Sequence, residues 1–521
     1  MRQSDGPADL PGRTRAARLR LFGGGAAAGL AAGLAVALYR ALIAEAEGLR
    51  ARLASSALMP ADYALWAAAL AGIALVLAAL CRWEPMAAGS GIPQVKGVLQ
   101  GALRMRWMRV LFVQIFGGAL AIGAGLSLGH AGPAVQIGAA AAEGASRLSA
   151  RRRWEERCLM TGGAAAGLSA VFNAPLSGML FALEALHHHV SASVILPVMA
   201  ASVSAACAVR LLFGPGTLFL FEGLPPLPLS HLPYVLLLGA VCGAAAAVFN
   251  RGLLGTRRFY GLPCFRRPTL RIAFALACAG LMTFACPLLT GGGDRLINAV
   301  TAMPPPLPVL LLLLLGKTLF TFVSFGSGVP GGFFFPSLTV GALTGAAAGS
   351  LFVGAGLLPP ESMANCILLA MAAFFTGSVR APITGAVLLL EMTGSFAHLM
   401  PLAAACAVSY VVSGALGGLP IYDALLRRRL GASSALPAPH PVTVTVESGS
   451  ALEHRAASAL PLPPHTVLAE VLRDGASFVP APEDLLRPGD EAVFLTQDGD
   501  DALAALAAAR PAPGRTNCPP R

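Results

Sequence analysis

Gly129-His130-Ala131-Gly132-Pro133 is the stretch on which the fold turns. It lies inside a long apolar region, after Ala121-Ile122-Gly123-Ala124-Gly125-Leu126-Ser127 and before Val135-Gln136-Ile137-Gly138. Glycine beside a helix start lets backbone N–H groups come close to a ligand, and proline suits the first helical turn. The start of a helix carries partial positive charge and N–H donors without intrahelical acceptors, so it favours an anion. A second break of this kind, Gly332-Phe333-Phe334-Phe335-Pro336, stands in the other half of the chain. Paired breaks in an apolar protein point to discontinuous helices meeting near the middle of a membrane.

The composition agrees. Of 521 residues, 56% are hydrophobic and 12% charged, with a mean hydropathy of +0.69. That excludes a large soluble enzyme and indicates a polytopic membrane protein. Apolar runs such as 21–43, 63–81, 232–249, 306–325 and 336–357 have uneven lengths. A single span needs about 20 residues, so these runs predict tilted and interrupted helices rather than a straight bundle. The 59 glycines suit close helix contact in lipid.

The net charge of +11 reads as positive-inside bias, with Arg13, Arg15, Arg18 and Arg20 placing the N-terminus in the cytoplasm. Arg151–Arg153 and Arg427–Arg429 mark further inner segments, so the C-terminus is also expected in the cytoplasm, the protein being a multi-pass resident of the plasma membrane. These clusters lack the interleaved aromatics of a nucleic-acid surface, so no nucleic-acid partner is expected. The 10 cysteines contain no C-x-x-C pair and read as buried apolar residues, so no metal is expected. The polar first 20 residues and the long apolar run after them do not read as a cleavable signal.

The chain divides into a flexible tail (1–20), an apolar body (21–430), a Ser/Ala/Pro linker (431–440), a small α+β domain (441–509) and a final tail (510–521). In the small domain Val442–Val446 alternates as a strand, and Glu491–Leu495 follows a Pro-Gly-Asp turn. A closing helix is expected over 500–509. With its Leu460-Pro461-Leu462-Pro463-Pro464, Arg473-Asp474-Gly475 and Leu486-Arg487-Pro488-Gly489-Asp490 segments, this domain resembles the TrkA-C (RCK C-terminal) family. That resemblance implies a regulatory module for a small ligand, which the sequence does not identify.

Four motifs in order carry the main resemblance: Gly89-Ser90-Gly91-Ile92-Pro93, Gly129–Pro133, Gly326-Ser327-Gly328-Val329-Pro330-Gly331-Gly332-Phe333-Phe334-Phe335-Pro336, and Pro420-Ile421-Tyr422. With the connectors Ala166–Gly178 and Gly385–Thr393, residues 21–430 resemble the CLC family of chloride channels and chloride/proton antiporters. The resemblance implies an all-α membrane fold of two inverted repeats of tilted, broken helices. It implies a homodimer with one pore per subunit, with chloride as the transported ligand and no cofactor. By resemblance, the Ser90 and Tyr422 hydroxyls and the Phe333 and Phe334 N–H groups hold a central chloride. The Gly129, His130, Ala131 and Gly132 backbone would line the outer gate. The chemistry fits, because partial charges can replace an anion's hydration shell and still release it. Read singly, Ser90 could be a helix cap, Tyr422 an interfacial tyrosine, and Phe333–Phe335 a packed cluster. Lys317 could be a snorkelling lysine or have an inner electrostatic role.

The pattern departs in two places. The family's gate glutamate stands third in Gly-Arg-Glu-Gly-Pro; this chain has Ala131 there, and His130 in place of arginine. Antiporters also commonly carry a second glutamate after the one matched by Glu184, and this chain has Ala185. Both proton stations are missing, which predicts passive, uncoupled chloride conduction. The alternatives are a chloride/proton antiporter using unorthodox groups such as His130, and a ligand-sensing membrane protein acting through the tail. No enzyme motif of the His-Glu-x-x-His or Gly-x-Ser-x-Gly type supports catalysis. His187–His189 point in different directions on a helix and read as a solvated helix end. Glu184 and Glu391 are expected to be buried carboxylates that either bond nearby backbone or serve function.

Overall fold

In a computed structural model, the described residues run from 10 to 496. Excepted are 57–58, 149–152, 188–191, 215, 217–218, 220, 222–223, 226, 395, 431–439 and 474–475. The first helix is Leu10–Ser56, so residues 10–20 are helical rather than a flexible tail. The reason is local: this segment is rich in alanine, leucine and arginine, good helix formers that run straight into the apolar stretch. His440, expected as the last linker residue, already begins a strand, and the rest of the expected linker, 431–439, lies outside the described residues. The expected helix over 500–509, the 510–521 tail and residues 188–189 of the histidine run lie outside the described residues.

Among the described residues, nine helices are long and apolar enough to cross a membrane, and shorter apolar helices lie between them. The most enclosed is Pro360–Val379, with 89% of its apolar window buried; Pro60–Trp83, at 22%, turns most of its surface outward. The body is therefore layered. Small-residue helices such as Phe334–Gly354 and Met363–Val379 pack inside, and Leu-rich helices such as Leu307–Gly326 face outward.

An internal correspondence accounts for the pairing of elements. The Arg153–Phe172 helix ends in a left-handed Asn173 (φ 55°), and the Met363–Val379 helix in a left-handed Arg380 (φ 69°). A short helix then begins at proline in each half: Pro175–Phe181 after Ala174, and Pro382–Thr393 after Ala381. Ala174-Pro175-Leu176-Ser177-Gly178 and Ala381-Pro382-Ile383-Thr384-Gly385 are each followed by a glutamate at the same spacing, Glu184 and Glu391. The two halves of the body are thus one structural theme used twice.

Two compact units divide the chain: one of residues 1–99 and 103–429, the other of 100–102 and 430–521. The second holds one antiparallel sheet of order β1-β4-β2-β3: β1 His440–Thr445, β2 Thr466–Arg473, β3 Ala476–Phe478 and β4 Glu491–Thr496. Val444, Val471, Ala492 and Phe494 form its core with Val446, Leu452 and Leu486.

Candidate functional site

The motif loops from both halves meet through their backbones. Gly129 and Gly332 exchange hydrogen bonds, with Gly129 N–H donating to Gly332 O at 2.6 Å and Gly332 N–H to Gly129 O at 2.9 Å. Gly89 N–H donates to Val329 O (3.2 Å), and Gly331 N–H to Gly89 O (3.1 Å). Three of the four motifs are therefore one backbone cluster. One expectation changes here. The Gly129 N–H was to line the anion path, but it is engaged by Gly332.

From this cluster helices radiate. Ile92–Leu99 leaves the Ser90 loop, Ala131–Leu148 begins at the position expected for the gate glutamate, and Phe334–Gly354 begins after Phe333. The first N–H groups of each helix have no intrahelical acceptor, so their donors sit at this junction. Approach is close enough to require glycine. A Cβ on Gly132 would lie 2.2 Å from Ser90 O and 3.0 Å from Ser90 Oγ. Gly91 has φ +85°, and a Cβ there would meet Gly132 O at 2.9 Å.

Tyr422 completes the cluster. Its ring centroid lies 5.4 Å from Phe333 and 6.3 Å from Phe181. The Phe334 ring lies tilted against Phe375, 4.5 Å between centroids, and Phe333 and Phe334 are fully buried. Two hydroxyls stand out in this apolar setting. Ser90 Oγ and Tyr422 OH are buried and have no hydrogen-bond partner among the described residues. A buried hydroxyl without a partner costs about 1–3 kcal/mol, so two at one junction of helix starts call for a ligand that accepts hydrogen bonds.

Ala131 is fully buried as the first residue of its helix. His130 packs its ring against Phe335, 4.4 Å between centroids, the side-packing arrangement. Ala185 lies half-buried in a π-helical turn, Ala182–His187. Lys317 is buried, not snorkelling. Its Nζ donates to Leu289 O and Gly291 O, both at 2.9 Å.

Glu184 and Glu391 do structural work. Glu184 accepts from the Ile383 N–H (3.2 Å), the Thr384 N–H (2.8 Å) and Thr384 Oγ1 (2.6 Å). Glu391 accepts from the Leu176 N–H (3.0 Å), the Ser177 N–H (2.7 Å) and Ser177 Oγ. Each short helix is capped by the glutamate of the other, a carboxylate on the positive end of a helix.

Sequence reasoning missed the supports around Ser90. Gln136 Nε2 donates to Met86 O (2.9 Å), Gln114 Nε2 to Ala87 O (3.1 Å) and to Gln136 Oε1 (2.5 Å), and Gln94 Nε2 to Ala88 O (2.7 Å). Three buried glutamines thus hold the carbonyls that precede the Ser90 loop. A buried Lys96 pairs with Asp423, the neighbour of Tyr422. Arg429, on the same Ile421–Leu430 helix, donates to Ala88 O (3.3 Å) and Pro85 O. Serine and tyrosine elements are therefore fastened together. A buried glutamine or lysine in an apolar helix was the available signal, but its partner was not.

A polytopic helical protein with broken helices converging on unpartnered hydroxyls is a membrane anion transporter in class. The particular family follows from comparison: residues 72–414 match the family model described as voltage gated chloride channel, and the chain belongs to that family, the CLC proteins. The H(+)/Cl(-) exchange transporter ClcA of Vibrio parahaemolyticus is 36% identical over 357 residues, 67% of this chain and 76% of that protein. Its namesake from Yersinia pestis is 34% identical over 385 residues, 71% of this chain and 80% of that one. Among solved structures, a slow cyanobacterial Cl-/H+ antiporter matches with a TM-score of 0.75 at 29% identity, covering 80% of this chain and 99% of that one. A eukaryotic CLC transporter shares the fold, with a TM-score of 0.67 at 23% identity, covering 85% and 80%.

Proposed function

We propose that this protein conducts chloride passively, without coupled proton movement. Chloride sits where the Ser90 and Tyr422 hydroxyls and the Phe333 and Phe334 N–H groups converge, and passes the backbone at His130–Gly132. The observation that carries the reading is a contrast at one junction. Two buried hydroxyls await an acceptor, while Ala131, which cannot ionise, opens the adjoining helix. Several carboxylates elsewhere in the body are engaged through at least one oxygen. Glu184 and Glu391 cap helices, Glu143 pairs with Arg147 at 2.5 Å, Asp423 pairs with Lys96, and Glu84 accepts from the Met86 N–H at 3.1 Å.

The test is simultaneous recording of chloride and pH on full-length protein in liposomes. Chloride should leave down its gradient, with no proton uptake above that of empty vesicles. Protons driven uphill in fixed ratio to chloride would overturn uncoupled conduction. That outcome would establish the second reading, exchange through unorthodox groups such as His130. The names of the relatives, which are chloride/proton exchangers, favour it. The positive-inside distribution supports cytoplasmic termini in a plasma membrane, and the family supports a homodimer. The 441–509 domain is read as a TrkA-C-like regulator of that path.

A further inference from the structure

An arginine-lined cavity shares no lining residue with the Ser90/Tyr422 junction. Its volume is about 660 Å³, and it is lined by Arg251, Leu254, Gly255, Arg257, Arg258 and Arg428. Four of its six lining residues are arginine. Between Glu222 and Asp294 the sequence has no acidic residue, yet it has six arginines: 251, 257, 258, 266, 267 and 271. None of the four lining arginines forms an ion pair among the described residues. Two are held in position: Arg428 Nη1 donates to Leu254 O at 2.5 Å, and Arg251 Nη2 donates to Leu416 O. Arg257 and Arg258 are exposed and make no side-chain hydrogen bond among the described residues, so their guanidinium donors stay available. The like charges face one another: partial desolvation lowers the Arg428 pKa first, and the neighbouring Arg257 and Arg258 lower it further.

Arginines of a positive-inside face usually spread into water, where they repel one another least. Here they line a concavity, which focuses their potential. Planar guanidinium groups bind phosphate oxygens in pairs, more strongly than they bind a compact halide. The volume lies within the range of small-molecule sites. We infer that this cavity binds a phosphate-bearing anion, either a free polyphosphate or the headgroup of an anionic lipid.

The test uses the full chain. Arg257→Gln/Arg258→Gln is compared with Arg104→Gln/Arg106→Gln, which removes equal charge from outside the cavity. Neither pair carries a side-chain bond that folding requires. One arm titrates detergent-solubilised protein with tripolyphosphate and follows the thermal midpoint. The other reconstitutes it in mixed phosphatidylglycerol/phosphatidylcholine vesicles and measures phosphatidylglycerol retained per protomer after re-extraction. Saturable binding is expected in at least one arm, weakened about tenfold or more in the cavity variant and unchanged in the control. Saturation with tripolyphosphate alone assigns a free ligand, and selective phosphatidylglycerol retention alone assigns a lipid. No saturable binding in either arm, or equal loss in the control variant, overturns the site.

Discussion

The Glu184/Glu391 pair and the Ser90/Tyr422 junction are both polar features inside an apolar body, and they are built in opposite ways. The glutamates are saturated: each carboxylate accepts from two backbone N–H groups and a hydroxyl at the start of a helix from the other half. The hydroxyls at the junction are buried and, among the described residues, unsaturated. In a low-dielectric interior, a saturated group fixes geometry, while an unsaturated one gains by meeting a ligand. The difference separates scaffold from path without reference to charge. The two glutamates hold the frame, and on the proposed reading the neutral donors at the junction are left for the anion.

The largest expected effect breaks the saturated side. Glu391→Ala removes an acceptor from three donors and leaves the start of the Pro175–Phe181 helix uncapped; Glu184→Ala does the same to the Pro382–Thr393 helix. Each should cost about 3 kcal/mol, read as a lowered thermal midpoint of the purified protein. A variant of unchanged stability would mean that water replaces the cap freely. Glu391→Gln, which keeps the shape but loses the charge, should fall between.

On the unsaturated side, Ala131→Glu is the sharpest probe. A carboxylate at a helix start gains up to about 2 kcal/mol and would compete with chloride for the same donors. Chloride flux at neutral pH should fall about tenfold or more. Unchanged flux, with thermal stability retained, would remove Ala131 from the path. Ser90→Ala and Tyr422→Phe should each weaken chloride binding by about fivefold, the value of one hydrogen bond of about 1 kcal/mol, measured by calorimetry. Equal binding in both variants would leave the backbone donors alone with the anion.

Much of this was legible in the chain, for definite reasons. Long apolar runs marked the membrane helices, and glycine with proline marked where those helices break. Ser90, Ala131, Phe333 and Tyr422 stand beside such breaks, so their neighbourhood announced them. Other features had no local mark. Gln114 and Gln136 are 22 residues apart, and Lys96 meets Asp423 from the far end of the body. Nothing in either segment specifies the other, because a tertiary pair leaves no periodic pattern. The role of Glu184 stayed open for the same reason: its partners, Ile383 and Thr384, lie about 200 positions away. Lys317 was misleading in a different way. Its carbonyl partners are backbone, and backbone acceptors carry no residue code.

The four-stranded sheet repeats the contrast on a smaller scale and gives the weakest but cleanest test. Asp490 is saturated: it accepts from Arg473 Nε at 2.8 Å and Nη2 at 2.7 Å, and from the Arg487 N–H at 2.8 Å. Ser450 Oγ in the same unit is buried without a partner among the described residues. The Arg473 hydrogen bonds, opposed by partial burial and aided by the Arg487 backbone, hold the Asp490 pKa below the usual carboxylate range. A carboxyl depressed in the folded state binds its proton more readily when unfolded. Its stabilisation is therefore complete above the unfolded value of about 3.9 and is lost as pH falls through the lower folded value. Hydrogen exchange of the β4 amides in the full chain should be flat from neutral pH to about 5 once corrected for intrinsic rates, then quicken at lower pH. Asp490→Asn should abolish that acid step and leave β4 less protected at neutral pH. If the step persisted in the variant, another carboxylate would be responsible, and the saturated pair would be an ornament of the sheet rather than one of its supports.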